Sequence, residues 1–279
     1  MNFLKYPILN LAVTITWSLL MVSSSVAAQD KVPDRIDLKS FPGQIIEQVV
    51  IPIPAEVFVV LDKVGETDWK SGIIHVEGDM RLQERGLLAM SFGSLIAEGF
   101  IAVQAESSTD IQKIGKRSLK LAEALGLENA VKPHSLSVID SAEDGEWDKV
   151  RSELDSTQQT VRQEMNEKRD QEISGLVSLG GWLRGTNVLT AFIVQDFTDD
   201  KAELLNQPGL VTHFREMIVE VSESLRKTPA MTEIETGLGR IDALLRENDK
   251  IGIGVVKQLH QITRGMLEQF YFEPVAEKK

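Results

Sequence analysis

No cysteine occurs among the 279 residues. This excludes disulfides, thiolate metal sites, covalent haem attachment, lipidation through cysteine and a cysteine nucleophile. A chain of this length buries enough surface to fold without disulfides. Histidine is also scarce. His75, His134, His213 and His260 stand far apart, and none has the His-Glu-x-x-His or Glu-x-x-His spacing that sets two ligands on one helical face. No structural metal and no cofactor are expected. Cations are outnumbered, 30 Lys and Arg against 42 Asp and Glu, for a formal charge of −12. Nucleic acids and anionic membranes recruit clustered Lys and Arg, so this balance argues against both as partners. The Gly-x-Ser-x-Gly turn of serine hydrolases is missing as well.

What is present begins with a leader pattern. Lys5 precedes an apolar run from Ile8 to Val22, and Val26 and Ala28 stand where a Val-x-Ala cleavage site needs small residues. This reads as a secretory signal peptide over residues 1–28, with the mature chain starting near Gln29. The run is short for a membrane anchor and is interrupted by Asn10, Thr14 and Thr16. The expected location is therefore periplasmic or secreted, with no membrane span after cleavage.

Residues 29–53 carry Pro33, Pro42 and Pro52 around a β-branched run, Ile45 to Ile53. Proline forbids a continuing helix and tolerates only edge or extended backbone, so an extended N-terminal arm is expected, with one short strand or helical turn near Gln44 to Val50. From residue 54 to 279 the periodicity is helical. Val57, Val60, Leu61 and Val64 form one stripe ended by Gly65. Arg81 to Glu106 is apolar on nearly all sides, the mark of a central buried helix. Ser108 reads as the cap of a helix ending at Gly126, followed by a short helix from Pro133 to Ala142. Glu146 to Arg169 is a polar helix with a narrow stripe, Trp147, Val150, Leu154, Val161 and Met165. Its pairs Lys149–Glu153, Arg151–Asp155 and Glu164–Lys168 have the i, i+4 spacing of a solvated outer helix. Further helices are expected after Asp200, Pro208, Pro229 and Ile251. The expectation is an all-α bundle of about eight helices with a Pro-containing N-terminal arm.

The acidic turn Asp196, Asp199, Asp200 and Glu203 lacks the loop signature of a calcium site. It reads as a capping box, Asp200 with Glu203, and Glu143, Asp144 and Glu146 as acids favoured at a helix N-terminus.

Two features stand out. Glu98 and Arg184 are the sole charges in the apolar cores of the two least polar helices, and a buried charge is tolerable with a partner, so the two are expected to face each other or share a pocket. The stretch SGLVSLGGWLRG, residues 174–185, has glycines but neither the Walker nor the dinucleotide-loop spacing. Its small residues Ser174, Ser178, Gly181 and Gly185 match a row Gly86, Ala89, Gly93 and Ala97 on the earlier helix. Two such rows let backbones approach closely, so the helices are expected to cross at Gly93 and Gly181, with Trp182 and Arg184 on the border.

These readings point to an exported, soluble, non-catalytic interaction or scaffold protein with a protein partner in the cell envelope. The first alternative is a small-molecule sensor whose pocket lies around Glu98, Trp182 and Arg184. The second is a hydrolase of unknown type, because carboxylates are plentiful and active sites assemble from distant residues.

Overall fold

The two least polar stretches of the sequence become the two helices at the centre. Helix α2 (Arg85–Gln104) and helix α6 (Gln171–Gln195) cross in close contact, and almost every residue of α2 from Gly86 to Val103 is buried. A helix without a polar face has no side to offer water, so the other helices must wrap it. By length and composition α2 could cross a bilayer, but 89% of that apolar window is buried inside the protein. The computed structural model describes residues 44–46, 49–51, 54–74, 84–167 and 170–272. They all belong to one compact unit, Arg35–Lys279. The expected signal peptide and cleavage site, most of the expected arm, and His75 lie outside the described residues.

The β-branched run of the arm forms two three-residue strands, β1 (Gln44–Ile46) and β2 (Val49–Ile51), paired antiparallel with Ile45 opposite Val50. One short strand or helical turn was expected near Gln44 to Val50; the six paired residues are too few to alter an all-α fold. Helix α1 (Pro54–Val64) stops where Gly65 takes φ +81, a left-handed conformation that favours glycine. A 3-10 turn, Trp69–Gly72, follows.

Helix α3 (Ser108–Leu125) packs on α2 and ends on Gly126 in the left-handed region. Its cap position is Ser107, one residue before the expected one, and the Ser107 hydroxyl donates to Asp110 Oδ2 at 2.6 Å. Helix α4 (Glu128–Glu143) returns along α3 and starts five residues before Pro133. Proline had suggested a helix start there. Instead the burial of Leu127, Ala130 and Val131 secures a preceding turn, and Pro133 sits exposed within the helix.

Helix α5 (Trp147–Glu167) buries Val150, Val161 and Met165. Lys149, Arg151 and Glu153 bond partners other than the expected neighbours, while Lys168, the expected partner of Glu164, lies outside the described residues. Lys149 reaches back to Glu146 at 2.6 Å, Arg151 bonds Asp62 and Gln104 and lies 4.5 Å over the Phe58 ring, and Glu153 meets His134 at 2.5 Å. Arg151 and Glu153 take tertiary partners because α5 packs against α1 and α4.

The remaining helices are α7 (Asp199–Glu203), α8 (Pro208–Glu220), α9 (Glu223–Arg226), α10 (Pro229–Glu247) and α11 (Ile253–Leu267). Thr198, not Asp200, caps α7: its hydroxyl accepts from the Lys201 N–H at 3.2 Å, while Asp199 and Asp200 occupy the first turn. One helix had been expected over 208–226; extended backbone at Val221 divides it. The described residues thus hold eleven helices, two of five residues or fewer, against about eight expected.

At the start of α10, Thr228 Oγ1 accepts from the Met231 N–H at 3.2 Å and Pro229 takes the first position. Thr228→Ala is expected to lower stability by about 1 kcal/mol, seen as a melting temperature lower by about 2–4 °C. An unchanged melting curve would mean the cap contributes nothing.

Candidate functional site

The crossing of α2 and α6 is set by glycine. A Cβ built on Gly93 would stand 1.9 Å from the Val177 carbonyl oxygen, and one on Gly180 would stand 1.9 Å from that of Met90. Gly181 lies beside them, its would-be Cβ 3.3 Å from the Gly93 oxygen. The helices therefore cross at the predicted glycines, with the tightest contact on α6 at Gly180, which the row of small residues had skipped. Gly185 has nothing within 4 Å and takes no part. Gly86 accommodates Leu225 and Leu176 instead.

One turn beyond the crossing lies the buried ion pair. Arg184 Nε donates to Glu98 Oε1 at 2.7 Å, and both side chains are 1% exposed. The pair reaches further. An Arg184 terminal nitrogen donates to the Gly72 carbonyl, and Glu98 Oε2 accepts from the Ile74 N–H at 3.4 Å. Gly72 itself presses on α6, since a Cβ there would fall 2.7 Å from Phe192 Cζ. Trp69 packs edge-on against Phe192 at 5.0 Å. The ion pair thus clamps the segment 69–74 onto the central helices.

Two further groups surround it. Tyr271 is buried, and its phenol is pushed well above the ordinary value of 10.0, first by burial and second by the Glu98 carboxylate, with Arg184 and Arg117 opposing. On the α11 side, His260 Nδ1 lies 3.1 Å from the Asn187 carbonyl oxygen and 3.1 Å from Thr190 Oγ1. Asn187 Nδ2 donates to Thr263 Oγ1 at 3.3 Å. The polar residues Ser91 and Ser94 of α2 also bond main chain: Ser91 Oγ donates to the Phe270 carbonyl and Ser94 Oγ to that of Gly180, each at 2.9 Å.

The His260 pKa falls below its ordinary 6.5, chiefly through burial, with Arg264 and Arg184 adding to the fall and the hydrogen bond to Asn187 opposing it. The unfolded chain therefore takes up the proton first as pH drops. The stability contributed by neutral His260 is whole above about pH 6.5 and declines as pH falls toward and through the folded-state value. His260→Asn should reduce the drop in urea midpoint between about pH 7 and pH 5.5; an unaltered slope would assign that drop to other groups.

Trp182 is not part of this cluster. Its indole Nε1 donates to Gln207 Oε1 at 3.0 Å and its ring lies 5.4 Å from that of Phe214, on the α8 side. Of the three residues expected around one pocket, Glu98 and Arg184 therefore meet, and Trp182 turns away. Two positions along a helix is a rotation of about 200°, which sends Trp182 and Arg184 to opposite faces.

Elsewhere, a cleft of about 160 Å³ lies between the starts of α2, α6 and α9, lined by Glu84, Arg85, Asp170, Glu172, Ser222 and Leu225 among others. Arg85 pairs with Asp170 at 2.5 Å and Glu172 accepts from the Ser222 N–H and hydroxyl, so its polar groups serve one another. Asp196 of the acidic turn pairs with Lys201 at 2.5 Å. Among the described residues no three His, Asp or Glu side chains gather closely enough to hold a metal ion. A Ser-x-x-Lys spacing does occur, Ser224 to Lys227, but both residues are exposed, the serine on the four-residue α9 and the lysine just past its end, and the lysine pairs with Glu223. It encloses no nucleophile.

Sequence reasoning missed Tyr271, His260, Asn187 and the main-chain groups of Gly72 and Ile74. Buried Asn187 and half-buried His260 were detectable as polar interruptions of apolar stripes; main-chain partners leave no side-chain signature. Compared with protein-family models, curated proteins and solved structures, the chain matches none.

Proposed function

We propose that this is an exported, non-catalytic interaction protein of the cell envelope that engages a protein partner through its surface. The leader pattern in residues 1–28 supports export. The observation that carries the choice of surface over pocket is the state of the buried charges. Glu98 and Arg184 bond each other and the main chain at Gly72 and Ile74, so their hydrogen-bonding capacity serves the fold's own backbone. A sensor of the kind first considered would hold such groups open toward a cavity. A hydrolase would need carboxylates free to converge on a substrate, whereas Asp170 and Glu172 of the described cleft bond Arg85 and Ser222.

The test is affinity purification of the mature protein from its own cell envelope, followed by native mass spectrometry. A protein partner retained at fixed stoichiometry is expected. A protein that returns alone with a bound small molecule, and gains thermal stability when that molecule is added, would overturn this reading in favour of the sensor.

A further inference from the structure

We infer that Thr160 is a covalent modification site, a hydroxyl activated by His134 and Glu153 to accept one acyl group from an activated donor such as a thioester or an aryl ester. This goes beyond the interaction reading above and does not rest on it.

The local sequence brings the three side chains together. His134 stands between Val131 and Val138 at helical spacing, and the burial of those valines fixes its face of α4. Glu153 and Thr160, seven residues apart, each precede a residue of the α5 stripe, Leu154 and Val161, and so flank it on one side. The His134 ring bridges them: Nδ1 lies 2.5 Å from Glu153 Oε1, and Nε2 lies 2.9 Å from Thr160 Oγ1. A carboxylate only accepts, so Nδ1 carries a proton and, in the neutral ring, Nε2 is left as a base facing the hydroxyl. Nucleophile, base and a third group that orients the base are thus within reach of one another. The side chains of His134 and Glu153 are 19% and 26% exposed and Thr160 is half-buried, so the relay is partly shielded from water and still reachable.

Comparison within the protein marks Thr160 out. Thr212, Thr232 and Thr236 each donate to the carbonyl four residues back, the usual bond of a helix threonine, as Thr160 does to Ser156 at 3.0 Å. Thr160 has in addition the imidazole, so two acceptors compete for its proton and only one of them can remove it. A second contact of histidine with threonine, His260 with Thr190, is of another kind. It uses the same Nδ1 that bonds the Asn187 carbonyl, and Thr190 is fully buried.

The placement also limits the chemistry. Thr160 lies within α5, where main-chain N–H groups are committed to carbonyls one turn back and cannot cradle an oxyanion. An amide or alkyl ester would need that help; a thioester or aryl ester, with its better leaving group, needs less. Thr160 Oγ1 attacks the acyl carbon, its proton passes to His134 Nε2, the bond to sulfur or aryl oxygen breaks, and Nε2 returns the proton to that leaving group. The products are a free thiol or phenol and an ester of Thr160. This alkyl ester is less reactive than the donor, so the acyl group stays where it is. One modification without turnover fits a non-catalytic protein.

The test incubates the full mature chain with p-nitrophenyl acetate, an aryl ester, and follows acetylation of each residue over time by tandem mass spectrometry. Thr160 is expected to react about 100-fold faster than the exposed Thr232, the order of acceleration that a positioned base supplies. His134→Asn keeps a donor for Glu153 but offers Thr160 no base, and its Thr160 should react at the Thr232 rate. Glu153→Gln should also slow Thr160, and the nitrogen NMR spectrum of His134 should change from the Nδ1–H form to a mixture of tautomers. Circular dichroism and melting curves establish that both variants are folded, and the comparison of Thr160 with Thr232 in the wild type needs no variant. Acetylation of Thr160 no faster than that of Thr232, or equal in His134→Asn, would overturn the proposal. So would an acetyl group held on His134 in place of Thr160. An unchanged His134 spectrum in Glu153→Gln would overturn the positioning role of Glu153.

Discussion

Gly93→Ala and Gly180→Ala are each expected to destabilise the protein by about 3 kcal/mol or more, at or beyond the upper end of the usual cost of overpacking a core. At each position the new methyl would stand 1.9 Å from a carbonyl oxygen of the facing helix. Backbone cannot rotate aside as a side chain can. Relief requires α2 and α6 to separate along the crossing, loosening contacts made by Leu176, Leu179 and Leu183, all fully buried. The Ser94–Gly180 hydrogen bond would stretch with them. Gly185→Ala makes the internal control. It has the same chemistry in the same helix, with nothing within 4 Å. There the gain in helix propensity, about 1 kcal/mol, should appear as stabilisation. Urea titration of the three variants settles the matter: equal effects at Gly93 and Gly185 would refute the close crossing.

The second large effect is expected at the buried pair. Glu98→Gln leaves the Arg184 charge without its counter-ion in a site 1% exposed, and removing one member of such a pair costs about 3–5 kcal/mol. Glu98→Met/Arg184→Met should recover most of this, since two buried charges need not be more stabilising than two apolar side chains of similar size. Recovery should be incomplete in one respect. The segment 69–74 loses the bonds at Gly72 and Ile74, so trypsin should cut after the exposed Lys70 faster in the double variant than in the wild type. Unchanged stability in Glu98→Gln would remove the pair's structural role. Unchanged cleavage in the double variant would show that Trp69 and Phe192 alone hold the segment.

The contrast between Gly93 and Trp182 shows how far the sequence could be read. Glycine in a helix interior has few physical reasons to exist, close approach being the main one, so two glycine-bearing helices could be matched without coordinates. Which glycine carries the tightest contact depends on crossing angle, and Gly180 was passed over for Gly181. The Glu98–Arg184 pair was legible for a similar reason: a lone charge in an apolar helix needs a partner, and only one was available. Trp182 was placed beside Arg184 because it is near in sequence, although helical geometry separates the two faces.

The charges of α5 show the opposite limit. Their i, i+4 spacing is a property of one helix, whereas Asp62, Gln104 and His134 reach them from three other segments that no local pattern brings near. The clamp on Gly72 and Ile74 was illegible because every residue offers the same main-chain groups.

The α2–α6 crossing also dictates an order of events in the life of the chain. Glu98 and Arg184 lie 86 residues apart, as do Ser94 and Gly180, and α3, α4 and α5 all fall between them. Contacts across so long a loop form late, after the chain entropy of closing it has been overcome. Throughout that interval α2 has no polar side to turn toward water and its chief partner is missing. The central helix of the finished protein is thus the most adhesive segment of the unfinished one, and its exposure ends only with the arrival of α6.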